Sequence, residues 1–236
     1  MVTVGILQPG YLPWLGFFDQ LIQCDVFVYY DDVQYDKHGW RNRNRIKGLD
    51  GQPQWLTVPV RHSGLGSPLI KDIELDNRTP WAKKHVGTIR QYYAKAPYIK
   101  QYLPPLEELL YRGWDGLADM DIAVAGMIKE WLGIKSEIHR SSALGINGGQ
   151  SERLLKICQR FGAGVYLSGS AAQDYLDVEL FRSAGVEVRW QDYRHPVYRQ
   201  LHGDFVSHLS VVDLLLNAGP ESRDIILNKI NSGVTP

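Results

Sequence analysis

The chain has 236 residues, 44% hydrophobic and 22% charged, enough for a full core in one α/β unit with an elaborated insertion. Lys plus Arg and Asp plus Glu number 26 each, so no overall field draws the chain to DNA or to an anionic membrane. No apolar run is long enough to span a bilayer, MVTVGILQPG lacks the basic start of a secretory signal, and Cys24 and Cys158 match no metal-ligand spacing. A cytoplasmic protein with two buried free thiols is expected.

In chain order, Thr3–Leu7 is a short apolar run stopped by Gln8-Pro9-Gly10, a buried strand entering a turn. Leu12–Gln23 has helical spacing, with Pro13 in its first turn, and Val26–Tyr30 is a second strand ending at Asp31-Asp32. Strand, helix, strand at this spacing predicts a βαβ unit with parallel strands, whose ligands gather beyond the carboxyl ends. Trp55–Val60 and Ile70–Leu75 are further strand candidates, joined by RHSGLGSP, a loop of mobile composition. Thr79-Pro80-Trp81 starts a helix with Thr as N-cap. From there to Trp131 the pattern is helical, broken at Ala96-Pro97, Leu103-Pro104-Pro105 and Gly113. Ser151–Phe161 (helix), Val165–Ser168 (strand), Val178–Ala184 (helix), Val186–Trp190 (strand) and Ser210–Asn217 (helix) follow, and NSGVTP reads as a tail. The fold class expected is a Rossmann-like parallel sheet with a mainly helical insertion over residues 79–135, all within a single domain.

Three clusters could carry chemistry. The first, DDVQYDKHGWRNRNRIKG over Asp31–Gly48, concentrates planar, hydrogen-bonding side chains. Arg41, Arg43 and Lys47 suit a phosphate or carboxylate, Asn42 and Asn44 a sugar hydroxyl or base edge, and Tyr35 and Trp40 offer flat faces. Asp31 and Asp32 could hold magnesium, accept from ribose hydroxyls or take a proton; the competing reading is a loop bonded to itself. The second cluster is Ser168-Gly169-Ser170, where a strand runs toward a helix and exposes backbone donors to an anion; a plain tight turn is the alternative. The third is QDYRHPVYRQ, with His195, Tyr198 and Gln200. His195 is the first choice as general base and His38 the second. Ser210 and Asp213 match S-x-x-D, a helix capping box.

Together, ILQPGYLPWLGFFDQL, DDVQYDKHGWRNRNRIK, YLSGSAAQDYL, YRHPVYRQ and LSVVDLLLNAG make a chain that resembles the WbqC-like family over nearly its whole length. The family is met among genes for O-antigen and other surface-polysaccharide synthesis, and some members carry glycine or acyl transferase labels. Carried onto this chain, the resemblance marks Gln8, Pro9, Tyr11, Asp32, Gln34, Tyr35, Trp40, Asn42, Arg43, Asn44, Lys47, Gly169, His195, Pro196, Tyr198, Gln200 and Asp213, whereas His38 stands at a variable spot. A weaker likeness is to HUP-type nucleotidylyltransferases and adenylate-forming ligases, but Gly10–Phe17, where their histidine motif would stand, has no histidine.

What the resemblance implies is a transferase making an amide on a nucleotide-linked amino sugar. Its acyl or aminoacyl donor would be an acyl-carrier-protein thioester, coenzyme A or an aminoacyl-tRNA. Gln8, Tyr11, Gln34, Ser168 and Ser170 join the binding set, and His195, Asp32 and His38 the catalytic one. The alternatives are an ATP-dependent adenylating or nucleotidylyl-transferring enzyme using magnesium, and a non-catalytic protein that binds a sugar nucleotide.

Overall fold

A computed structural model describes residues 1–61, 64 and 66–230 of the chain. Its first elements are β1 (Val2–Leu7), α1 (Leu15–Gln23), β2 (Val26–Tyr29), β3 (Arg43–Lys47), β4 (Pro53–Thr57), β5 (Val60–Arg61) and β6 (Glu74–Leu75). The middle is helical: α2 (Trp81–Tyr92), α3 (Ile99–Leu110) and α4 (Leu117–Trp131). Then come β7 (Glu137–Arg140), α5 (Ser141–Leu144), α6 (Gln150–Arg160), β8 (Ala163–Ser168), α7 (Val178–Ser183) and β9 (Glu187–Trp190). Helices α8 (Val211–Ala218) and α9 (Ser222–Ile226) close the described chain. Among the described residues no helix is long and apolar enough to cross a membrane.

Two compact units divide these elements. The first comprises Met1–Pro9, Asp19–Val33 and Ile134–Arg194. It is built on a five-stranded sheet in the order β7-β2-β1-β8-β9, with every neighbouring pair parallel. Parallel strands demand helical crossovers that cover the faces, so β1, β2 and β8 read as near-continuous apolar runs. Val4, Ile6, Val28 and Tyr166 of the sheet pack with Leu154, Ile157 and Cys158 of α6 and Phe181 of α7. Gly5, at the centre of β1, leaves no room for a side chain unless a neighbour shifts: a Cβ there would lie 2.5 Å from the Cys24 sulfur. Both cysteines are buried, and burial pushes the Cys158 thiol up to about 12. This is the expected Rossmann-like α/β fold.

The second unit, Gly10–Phe18, Gln34–Gly133 and His195–Pro236, holds the β3–β4 hairpin, the short β5–β6 pair and helices α2, α3, α4, α8 and α9. Several local readings change here. The expected strand Ile70–Leu75 is a 3-10 turn at Ile70–Asp72 followed by only two paired residues, and Trp55–Val60 divides at Pro59 into β4 and β5. Helix α3 runs through Pro104-Pro105 rather than breaking, because Tyr102, Leu103, Leu106, Leu109 and Leu110 are all buried and outweigh two lost backbone bonds. The α2 start lacks the expected Thr79 side-chain cap. The loop reading of RHSGLGSP falls partly on His62, Ser63 and Leu65, and the tail reading on residues 231–236, both outside the described residues.

Candidate functional site

In the first unit the strands follow the order third, second, first, fourth, fifth along the chain, so chain direction across the sheet reverses between β1 and β8. Such a reversal leaves a crevice at the carboxyl ends of the two strands, where open α/β sheets take their ligands. Gln8-Pro9 leaves β1 there and Ser168-Gly169-Ser170 leaves β8. Ser168 is buried and its hydroxyl meets that of Tyr166, whereas Ser170 is exposed and the Cα of Gly169 faces open space.

Beside β1, the strand β2 delivers Asp31 and Asp32, and their environments differ. The Asp31 side chain has no exposure. Its oxygens accept from Arg140 Nε (2.7 Å), the Ser142 backbone N–H (3.0 Å) and the Ser142 hydroxyl (2.8 Å). Burial works to raise its pKa, but these donors outweigh burial and hold it below the usual carboxylate value. Asp32 keeps 16% of its side chain exposed and accepts from Arg153 Nη2 and the Ser141 hydroxyl, both at 2.5 Å. Arg153 lies over the Tyr30 ring at 5.0 Å and also donates to the Ile146 carbonyl (2.8 Å), which fixes the guanidinium in place. The result at the carboxyl edge is a braced, two-sided acid–guanidinium pair.

Sequence reasoning missed Arg140, Ser141, Ser142 and Arg153. The signal was present in EIHRSS, a short strand ending in polar residues as β2 and β8 do, but its charges hid the strand. Arg153 was masked by the amphipathic pattern of α6.

In the second unit, the basic loop is largely bonded to its own frame. Arg43 donates to the carbonyls of His38 (2.5 Å) and Gly39 (3.3 Å), and Asn42 to that of Val58 (2.7 Å). Asn44 donates to the Leu12 carbonyl (2.7 Å), securing a residue held at positive φ. Fully buried Lys47 donates to the carbonyls of Asp204 (2.5 Å) and Gly203 (3.3 Å) and to Gln200 Oε1 (3.4 Å). Arg41 sits partly buried beside Asp121 and Tyr35. The Arg41 Nε and both Asp121 oxygens have no hydrogen-bond partner among the described residues, and burial drives the Asp121 pKa well up. His38 and Gln34 are exposed; Trp40 is exposed too, 5.2 Å from the ring of Trp55.

The third cluster also anchors. Asp213 is fully buried and accepts from Tyr93 (2.6 Å), Tyr198 (2.9 Å) and Gln200 (2.9 Å). It therefore makes no capping box; Ser210 alone caps α8, its hydroxyl accepting from the Val212 N–H (3.2 Å). His195 Nδ1 donates to the Pro196 carbonyl (2.9 Å), and Nε2 accepts from the His208 N–H (3.0 Å). Burial lowers its pKa to about 4, so the ring is neutral near pH 7 with both nitrogens engaged. Tyr11 pairs with His85 Nδ1 at 3.0 Å in another buried contact.

The model of the WbqC-like protein family matches residues 8–225. The chain belongs to this family. Uncharacterized protein Rv1507c of Mycobacterium tuberculosis is 36% identical over 230 residues, covering 96% of this chain and 98% of the relative. No solved structure matches the chain. In this WbqC-like chain the match spans both units, from the Gln8 exit of β1 to α9. Among the described residues no group of three or more His, Cys, Asp or Glu side chains is gathered as metal ligands.

Proposed function

We propose that the protein is a transferase of surface-polysaccharide synthesis that moves an acyl or aminoacyl group to the amine of a nucleotide-linked amino sugar. One observation carries the reading: the Asp32–Arg153 pair stands at the carboxyl edge of a parallel sheet whose order reverses between β1 and β8. Arg153, fixed by Asp32 and the Ile146 carbonyl, suits a phosphate oxygen, and the small residues Gly169 and Ser170 let a backbone approach the same ligand. Lys47 and Arg43 already spend donors on carbonyls, which favours placing the phosphates at the sheet edge rather than at the basic loop.

In this reading the amine nitrogen attacks the donor carbonyl and forms the amide bond. Asp32, the accessible half of the acidic pair, takes the N–H proton. The thiolate or alcohol of the donor leaves with the electrons of the broken bond. The donor is an acyl-carrier-protein thioester, an acyl thioester of coenzyme A or an aminoacyl-tRNA. Asp31, without exposure, holds the β7–α5 turn, and His195 holds the 195–208 segment.

A thermal-shift panel of nucleotides, nucleotide sugars and coenzyme A, with and without magnesium, tests the site. A ligand at about 100 times its Kd stabilises by roughly 2.7 kcal/mol. Arg153→Ala should abolish the shift. Asp32→Asn should retain binding and lower turnover by about 10²–10⁴-fold, the usual worth of a general base. A nucleotide-sugar shift untouched by Arg153→Ala would refute the placement.

A second reading, adenylate transfer from ATP with magnesium, draws on the same strand order, which is that of mononucleotide-binding sheets. It predicts a shift confined to ATP with magnesium, and pyrophosphate release. Binding without turnover of any donor would instead favour a sugar-nucleotide binding protein.

A further inference from the structure

The second unit carries a cavity unconnected with the reading above. Helix α2 and strand β4 border a half-open cavity of about 500 Å3, within the range of small-molecule sites. Among the described residues, strand β4 pairs with β3 alone. Alternation along an antiparallel ladder turns the backbone groups of Gln54 and Leu56 toward β3 and those of Trp55 and Thr57 away from it. His85 caps the Thr57 backbone with one hydrogen bond and takes the Tyr11 hydroxyl with the other. It is thereby held as a fixed, neutral floor.

The lining is selective in its chemistry. Trp55 is 47% exposed, with the Arg43 guanidinium 4.7 Å from its ring centroid and the Trp40 ring at 5.2 Å, and Tyr92 adds another aromatic ring to the lining. Gln54 and Thr57 each both donate and accept, and Lys84 contributes an ammonium. No carboxylate is among the described lining residues.

We propose that this cavity binds a pyranose ring carrying an anionic group, a carboxylate or a phosphate. The C–H face of such a ring is apolar and flat enough to lie on an indole, burying area on both sides. Ring hydroxyls both donate and accept, as Thr and Gln side chains do, whereas a base edge presents fixed donors and acceptors. The Lys84 ammonium, with no carboxylate to neutralise it in the described lining, pairs with a carboxylate or phosphate oxygen. A neutral sugar would leave that charge unused.

The experiment is calorimetric and fluorescence titration of the full-length protein with the uronates and 6-phosphates of glucose and galactose, with glucose, galactose and uridine monophosphate as comparisons. At least one anionic sugar should bind, quench tryptophan emission and exceed its neutral parent by about tenfold, some 1.4 kcal/mol. Whether uronate or phosphate binds identifies the source of the charge. Trp55→Ala should weaken binding by about tenfold or more, as loss of a central aromatic anchor does. Lys84→Gln should reduce the anionic sugar to the affinity of its neutral parent. Both side chains are exposed, so the variants should fold, with circular dichroism as the check. Arg153→Ala should bind the sugar as the parent protein does, which separates this result from the nucleotide test. The proposal is overturned if no anionic sugar binds, if neutral sugars bind equally, if Lys84→Gln keeps the preference, or if uridine monophosphate is the ligand lost in Trp55→Ala.

Discussion

At the scale of the residue, the buried polar groups decide most. Lys47 and Asp213 are both fully buried and share Gln200 between them. An uncompensated partner in such a place is costly, because the groups left behind have no water to turn to. Asp213→Ala strands the Tyr93 and Tyr198 hydroxyls and should cost about 3 kcal/mol, read as a fall in Tm of roughly 6–12 °C. Lys47→Met should cost a similar amount, by leaving the Gly203 and Asp204 carbonyls unpaired. The histidines add a pH dependence. Burial lowers both His85 and His195 from 6.5 to about 4. Between those values the unfolded chain binds more protons than the fold, so their contribution to stability is present above pH 6.5 and fades as pH falls toward 4. Buried Asp121 and Asp213, with raised pKa values, act in the opposite sense. The test is therefore a difference: Tm of His85→Gln should fall less steeply than the parent's between pH 6.5 and 4.

At the scale of the element, sequence patterns held wherever apolar period and burial agreed. Strands β1, β2 and β8 and helices α6 and α8 were legible because their burial is continuous or amphipathic. Strands β3 (RNRIK) and β7 (EIHR) were not, since charged residues occupy positions whose strand form is imposed by the partner strand. The α8 start shows how local signals mislead. S-x-x-D fits a capping box, yet the carboxylate turns to Tyr93, Tyr198 and Gln200. Ser210→Ala should accordingly cost about 1 kcal/mol, the worth of one N-cap, and less than Asp213→Ala. In β1, Gly5→Ala places a methyl against the Cys24 sulfur and the Phe27 ring. Overpacking of that kind should cost about 1–3 kcal/mol by chemical denaturation, and Cys24→Ala should recover part of it.

At the scale of the whole molecule, equal numbers of acids and bases mean that recognition depends on local arrangement, not on an overall field. Retention on a DNA-like polyanion column at physiological salt should be negligible, and strong retention there would reopen DNA as a partner. The two units each bring a different offer: the first a braced acid–guanidinium pair at a sheet edge, the second an aromatic cavity with an ammonium. Family membership extends over both, from residue 8 to residue 225.

The sequence by itself determined the fold class, the carboxyl-edge position of Gln8, Asp31-Asp32 and Ser168-Ser170, and the family. These follow from short-range order: apolar runs of strand and helix length, turn residues between them, and motifs that keep their spacing. Only the tertiary structure decided which polar residues brace the fold and which remain accessible. Lys47 and Arg43 look like ligand contacts in a string of letters; in the fold Arg43 donates to the nearby carbonyls of His38 and Gly39, and Lys47 to Gln200 and to the carbonyls of Gly203 and Asp204, distant in the chain and silent in sequence. Arg153, ordinary on its helix, is paired with Asp32 because a parallel crossover sets α6 beside the end of β2. Hydrogen-bond satisfaction is a property of the folded neighbourhood, and a side chain's composition shows only what it is able to offer.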